Sequence, residues 1–182
     1  MNRKYSALIS VNLILLLTAL SVFSGNLLHG AEMPDTVAGR VIKVNDGDTV
    51  TVAIGRRHER IRLIGIDAPE LGQRPWGRRA KEHIKEIIDR SGGTVVVEFD
   101  VERRDRYRRL LAYLWTRDRH LINFEMLRDG YAVLYTFPPN IKYVDTLREG
   151  QRVAREKGLG IWERGGLKEM PSEYRKRHPR LD

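Results

Sequence analysis

From Val37 onward, β-branched and polar residues alternate with period two, as they do in strands that bury one face. The runs "VAGRVIKV" and "TVTVAI" flank "NDGD", and two such runs around Asp46-Gly47 predict a β-hairpin. "GRRHE" supplies a second turn and "RIRLIGI" a third strand, so the opening reads as a meander rather than a βαβ unit. The period then changes. In "WGRRAKEHIKEIIDRSGG", Ala80, Ile84, Ile87 and Ile88 share one helical face, and Gly92-Gly93 stop the helix. "TVVVEFDV" and "RLLAYLW" predict a fourth and a fifth strand, with the charged stretch "ERRDRYR" between them. "NFEMLRDG" reads as a short helix capped by Asn123 and ended by Gly130, and "YAVLYTF" as extended chain broken by "PPN". "VDTLREGQRVAREKG" predicts a last amphipathic helix whose stripe of Val144, Leu147 and Ala154 is interrupted by Gln151.

Three strands, a helix, two strands and then helices give an α+β fold that is mainly β. The order matches a five-stranded barrel of the OB type with about three helices, over residues 37–162. Such barrels present oligonucleotide or oligosaccharide sites on one face, but fold alone does not settle function. Residues 163–182 are basic and weakly patterned, and are expected to form a flexible extension.

The N-terminus is of another kind. Arg3 and Lys4 precede an apolar run from Ala7 to Phe23, the pattern of an export signal. Residues 1–31 are read as a signal peptide or an uncleaved membrane anchor, and the basic flank places the rest of the chain outside the cytoplasm in either case. The protein is therefore expected to be exported, as a secreted, periplasmic or tethered molecule. With 182 residues there is room for one domain and its extensions. The chain has no cysteine, which excludes disulfides, thiolate metal sites and thiol nucleophiles. A net charge of +9 and a pI near 10.0 draw polyanions toward the surface.

Charge changes the picture most at "RLIGIDAPE", residues 62–70, where an apolar strand exits into Arg62, Asp67 and Glu70. Asp48 stands at the start of the second strand, where Asp46 and Gly47 already provide the turn, so it has no evident structural role. If the second and third strands are neighbours, Asp48 and Asp67 converge. Two carboxylates with a backbone carbonyl and waters make a hard oxygen site suited to Ca²⁺, with Mg²⁺ the stricter octahedral alternative. Strict alternation sets Arg62 and Asp67 on opposite faces, so a shared site requires the strand to bulge or curl, and Gly65 is the residue that permits it. Glu70, held by Pro69, could then face a metal-bound water as general base or orient it. In "RDRYRR", Arg106, Arg108 and Arg109 interleave with Tyr107, a composition that grips phosphates and stacks on bases.

Together these pieces resemble the staphylococcal nuclease (thermonuclease) family, over about residues 37–162. The resemblance rests on "VNDGDTVTV", "RLIGIDAPE", "DRYRRLLAYL", "LRDGYAVLY" with the following "PPN", and "AREKGLGIW", in that order. It implies an OB-fold, calcium-dependent phosphodiesterase that cuts DNA and RNA, favours single-stranded substrate and leaves 3′-phosphates. It further implies that Asp48, Asp67 and the Ala68 carbonyl hold calcium and that Glu70 activates or positions the attacking water. Arg62 and Arg109 would bind the scissile phosphate, and Tyr107 and Tyr135 would line the nucleotide pocket. No stable protein partner is implied, and a monomer is expected. The chain departs from the family where a glycine usually separates the tyrosine from the arginine: Arg108 stands there, and would bear strain if the backbone turns as a glycine does. The rival readings are an OB barrel that binds nucleic acid without cutting it, and an anchored surface protein whose basic face binds anionic polymers.

Overall fold

A computed structural model describes residues 35–179; the segment read as a signal or anchor lies outside the described residues. Strand β1 (Thr36–Val44) turns through Asn45–Asp48 into β2 (Thr49–Ile54), which returns through Gly55-Arg56 into β3 (Arg57–Leu63). The third strand thus begins earlier than "RIRLIGI" suggests, because a two-residue turn pairs Ile54 with Arg57. Strands β5 (Thr94–Glu98) and β6 (Leu110–Trp115) complete a closed barrel in the order β1-β2-β3-β6-β5. Closure runs through β1 and β5, antiparallel with Val37 opposite Val97, and through β3 and β6, parallel with Arg62 opposite Leu111. Closing the sheet removes its edges, so a small five-stranded structure presents no long unpaired strand.

The period-two reading holds where it matters for the core. Val50, Val52, Ile61, Leu63, Val95 and Val97 point inward with almost no exposure, while Thr51, Arg60 and Arg62 alternate away from the core. Helix α1 (Trp76–Arg90) lays Ala80, Ile84, Ile87 and Ile88 onto this core, the face its spacing predicts. Burying each isoleucine contributes roughly 1.5–3 kcal/mol, so the helix is held by packing more than by propensity.

Beyond the barrel, β4 (Ile66–Asp67) pairs with β7 (Val133–Leu134), and α2 (Ile122–Arg128) packs between the barrel and α3 (Val144–Lys157). Two sequence expectations are corrected here. Asn123 does not cap α2. It lies inside the helix, fully buried, where its Oδ1 accepts the Leu114 amide hydrogen at 3.0 Å and its Nδ2 donates to the Ile64 carbonyl at 2.7 Å. Gln151 is no flaw in the α3 stripe, because its Oε1 accepts the Leu134 amide hydrogen at 2.8 Å and so holds β7 to the helix.

The C-terminal stretch is also more ordered than its composition suggests. After a short 3₁₀ turn (Gly160–Trp162), Pro171 opens a fourth helix, α4 (Pro171–Arg177). A proline at the first helical position and a glutamate in the first turn start it, and three basic residues close it. The described residues therefore contain four α-helices rather than three.

Candidate active site

Arg62 and Asp67 are brought to one side by a break rather than by a bulged strand. β3 ends at Leu63, and Gly65 adopts φ +78°, a left-handed conformation in which a side chain would also strike Leu147. The chain then re-enters as β4 with its alternation reset. Arg62 bridges the break: Nη1 donates to the Leu63 and Ile66 carbonyls at 3.1 and 2.8 Å, and Nη2 to Asp67 Oδ1 at 3.1 Å. The Tyr135 amide donates to the Gly65 carbonyl at 2.9 Å, which fixes β7 and the aromatic residue after it beside the same turn.

Asp48 reaches this point from the other side. Its Oδ2 lies 3.1 Å from Arg62 Nη1 and accepts the Ala68 amide hydrogen at 2.7 Å, while Oδ1 accepts from the Thr49 hydroxyl at 3.0 Å. Asp48 therefore has a structural role after all, tying the first hairpin to the β4 exit. Burial pushes its carboxyl above the usual carboxylate range, and the Arg62 guanidinium opposes that shift. Asp67 is 1% exposed. A carboxylate so deeply buried needs cationic partners, and it has two, Arg62 and Arg175.

Glu70 is placed by its own loop. Its amide donates to Gln73 Oε1 at 2.9 Å, its carbonyl accepts the Gln73 amide at 2.8 Å, and its Oε1 accepts from Arg175 Nη1 at 3.1 Å. Asp48, Arg62, Asp67, Ala68 and Glu70 thus come together as the sequence expects. Their donor set is all hard oxygen, two carboxylates and a backbone carbonyl with a third carboxylate beside them, and cationic groups already converge on Asp67. That donor chemistry is of the kind calcium takes, although among the described residues no three acidic or histidine side chains are gathered closely enough to hold a metal ion as they stand.

Arg109 stands at the entry to β6. Leu111 is opposite Arg62 in the parallel ladder, so Arg109, two residues before it, lies on the same face as Arg62. Asp105 fixes it, accepting the Arg109 amide at 2.9 Å through Oδ1 and the Arg109 Nε at 2.7 Å through Oδ2. Between them Arg108 has φ +64°, so the departure from the family glycine is a backbone position that glycine would occupy without strain. Arg104 steadies the turn from Nη1 to the Arg108 carbonyl at 2.7 Å.

Tyr107 and Tyr135 are both exposed. Arg106 covers the Tyr107 ring at 4.7 Å and donates to its hydroxyl at 2.6 Å, and the Tyr135 ring stacks parallel to Phe137 at 6.5 Å. Tyr107, with guanidinium groups at its ring, and Tyr135, beside Phe137, both leave exposed aromatic surface of the kind that stacks on bases.

Asp105, Gln73 and Arg175 are given no role by the sequence reading, and Asn123 is given only that of a cap. For Asp105 a signal was present, since an acid at the head of a Gly-free turn is a ready acceptor for the amides that follow. Arg175 gives no local signal, because its partners are over a hundred positions away.

Residues 60–164 match the family described as "Staphylococcal nuclease homologue". The β1–β2 hairpin with Asp48 precedes that stretch, and its place in the site rests on the Asp48 contacts with Arg62 and Ala68. The chain is 36% identical over 129 residues to the thermonuclease of Staphylococcus intermedius, covering 68% of this chain and 75% of that one. It is 31% identical over 128 residues to the thermonuclease of Staphylococcus hyicus, covering 68% and 74%. Against the SPbeta prophage-derived endonuclease YokF of Bacillus subtilis it is 33% identical over 142 residues, covering 74% of this chain but 46% of that longer protein.

Proposed function

The chain belongs to the staphylococcal nuclease family, and from that membership we propose that it is an exported, calcium-dependent endonuclease hydrolysing phosphodiester bonds of DNA and RNA. The observation that carries this reading is the meeting of Asp48 and Asp67 on one guanidinium, each 3.1 Å from Arg62, with Glu70 on the next turn of chain. A pure binding barrel has no use for three converging acids facing a polyanion.

In this reading Asp48, Asp67 and the Ala68 carbonyl would hold the calcium, which when bound would supply positive charge against that of the scissile phosphate. Glu70 accepts the proton of the attacking water at its carboxylate. The water oxygen forms a bond to phosphorus, the bond from phosphorus to the 5′ oxygen breaks, the departing 5′ oxygen takes a proton from solvent while Glu70 returns its proton to solvent, and the product keeps a 3′-phosphate. Arg62 and Arg109, on one face of the barrel, grip the phosphate oxygens as negative charge gathers on them. Asp105 holds Arg109 by its Nε, so the terminal nitrogens are the edge offered to the phosphate. Neither guanidinium donates a proton at working pH, so both act as fixed charge. Tyr107 and Tyr135 receive bases, and unpaired bases alone offer open faces, which favours single strands. The protein acts as a monomer.

The test is release of acid-soluble nucleotides from heat-denatured DNA by the purified protein, with calcium and with a calcium chelator. Calcium-dependent release that Asp48→Ala abolishes is expected. Retention of DNA without any release would replace this reading with that of a binding module.

A further inference from the structure

The C-terminal helix closes over the acids. Arg175 Nη1 donates to Asp67 Oδ1 at 2.8 Å and Nη2 to Asp67 Oδ2 at 2.9 Å, so the guanidinium takes both oxygens in the forked geometry that arginine and carboxylate prefer. The same Nη1 reaches Glu70 Oε1 at 3.1 Å. One side chain from residue 175 therefore spans a calcium carboxylate and the acid assigned to the water.

The helix is brought there by specific contacts with the Glu70 loop. Gln73, whose Oε1 accepts from the Glu70 amide, donates through Nε2 to the Glu169 carbonyl at 2.8 Å. Tyr174 lays its hydroxyl against Gly72 so closely that any side chain at position 72 would collide with it. Pro171 is buried. These contacts are few, and α4 has seven residues, too few to persist as a helix without its dock. Arg175 itself keeps 40% of its side chain exposed, against 1% for the Asp67 side chain it covers. The arrangement is a lid on a buried charge, and lifting it strips Asp67 of one of its two cations, so it lifts when another cation takes that place.

Resting on the calcium reading of Asp48 and Asp67, we propose that Arg175 is an intramolecular stand-in for the divalent cation, and that α4 is an autoinhibitory plug that calcium displaces. Asp67 offers two oxygens. With both engaged by Arg175 and Oδ1 shared with Arg62, a divalent cation cannot coordinate there until Arg175 withdraws. Two cations at one carboxylate also repel, so each occupant weakens the other by the same factor. While the plug is seated, Oε1 of Glu70 is engaged by Arg175. Calcium binding then assembles the metal site and frees the acid in one step.

The experiment is a calorimetric calcium titration of the full-length protein, wild type against Arg175→Gln, with Lys176→Ala as the neighbouring charge control. Removing a partly exposed, charge-assisted contact is expected to tighten calcium binding about tenfold in Arg175→Gln and to leave the control unchanged. Tyr174→Ala, which loosens the dock without touching Asp67, is expected to shift the same way. Amide hydrogen exchange across residues 171–178 supplies a second readout, with faster exchange expected when calcium is saturating. Equal or weaker calcium binding by Arg175→Gln, or an α4 whose exchange ignores calcium, would overturn the plug. Failure of the calcium reading looks different: wild type and variant both ignore calcium yet cleave with Mn²⁺. The same titration with Mn²⁺ then decides the plug.

Discussion

Asn123 donates to the carbonyl of Ile64 at 2.7 Å, and through that bond a buried residue of α2 holds the turn that separates Arg62 from Asp67. The same side chain accepts the Leu114 amide at 3.0 Å, so one amide group fastens helix, barrel and site turn together. Asn123→Leu leaves a buried carbonyl and a buried amide without partners, at an expected cost of about 2–4 kcal/mol. Urea denaturation should show a lower midpoint with an unchanged slope. A midpoint within experimental error of wild type would mean that the turn is held by its neighbours instead.

A second, half-buried polar link predicts acid sensitivity. Asp129 accepts from His83 Nε2 at 3.0 Å and from Arg128 Nε at 2.8 Å. Burial alone would raise its pKa, but the bonds from His83 and Arg128 outweigh it and bring the value down to about 2. The unfolded value is about 3.9, so the folded protein binds the Asp129 proton less tightly than the unfolded chain does. This contribution is complete above about pH 4 and is lost as pH falls through about 2, amounting to about 2 kcal/mol. Asp129→Asn should therefore be less stable at pH 6 and lose less between pH 4 and pH 2. Parallel stability curves for the two proteins would refute the assignment.

How much the sequence disclosed depends on how far each signal reaches. The barrel was legible because Val50, Val52, Ile61 and Leu63 repeat with the period of the pleat, and α1 because Ala80, Ile84, Ile87 and Ile88 repeat with that of a helix. The acids at 48, 67 and 70 were legible as an excess of charge beside turns that did not need it. The reset of alternation at Gly65 could be posed as a requirement but not located, since a strand break and a bulge leave the same letters. Asn123 and Gln151 were misread because each looks like a local device, a cap or an interruption, while its partner lies on another element. Arg175 sits in a run of basic residues that composition alone assigns to solvent. Only the docking of α4 on Gly72 and Gln73 singles it out.

Glu70 is the group on which turnover depends in the proposed mechanism. Glu70→Gln keeps the shape of the loop and the amide contact with Gln73 but removes the acceptor for the water's proton. The expected result is a fall in kcat of about 10²–10⁴-fold with KM little changed. Steady-state kinetics on denatured DNA separates the two constants. A variant with wild-type kcat would remove Glu70 from the reaction.

Arg108 tests how the chain tolerates the loss of a family glycine. At φ +64° a residue with a side chain costs about 1–2 kcal/mol relative to the right-handed region, and glycine escapes that cost while adding freedom to the unfolded chain. Arg108→Gly is therefore expected to stabilise the protein by about 0.5–1 kcal/mol, read as a higher urea midpoint. The turn itself should survive, because Asp105 binds the Tyr107 and Arg109 amides and the Arg109 Nε, while Arg104 holds a backbone carbonyl that glycine retains. Arg109 then stays where it is, and kcat should not move. The lost charge is exposed beside Tyr107 and Arg109, so KM should rise by about two- to fivefold and depend less steeply on salt. A rise in kcat instead would show that Arg108 holds Arg109 away from its best position, and that the glycine serves catalysis rather than folding.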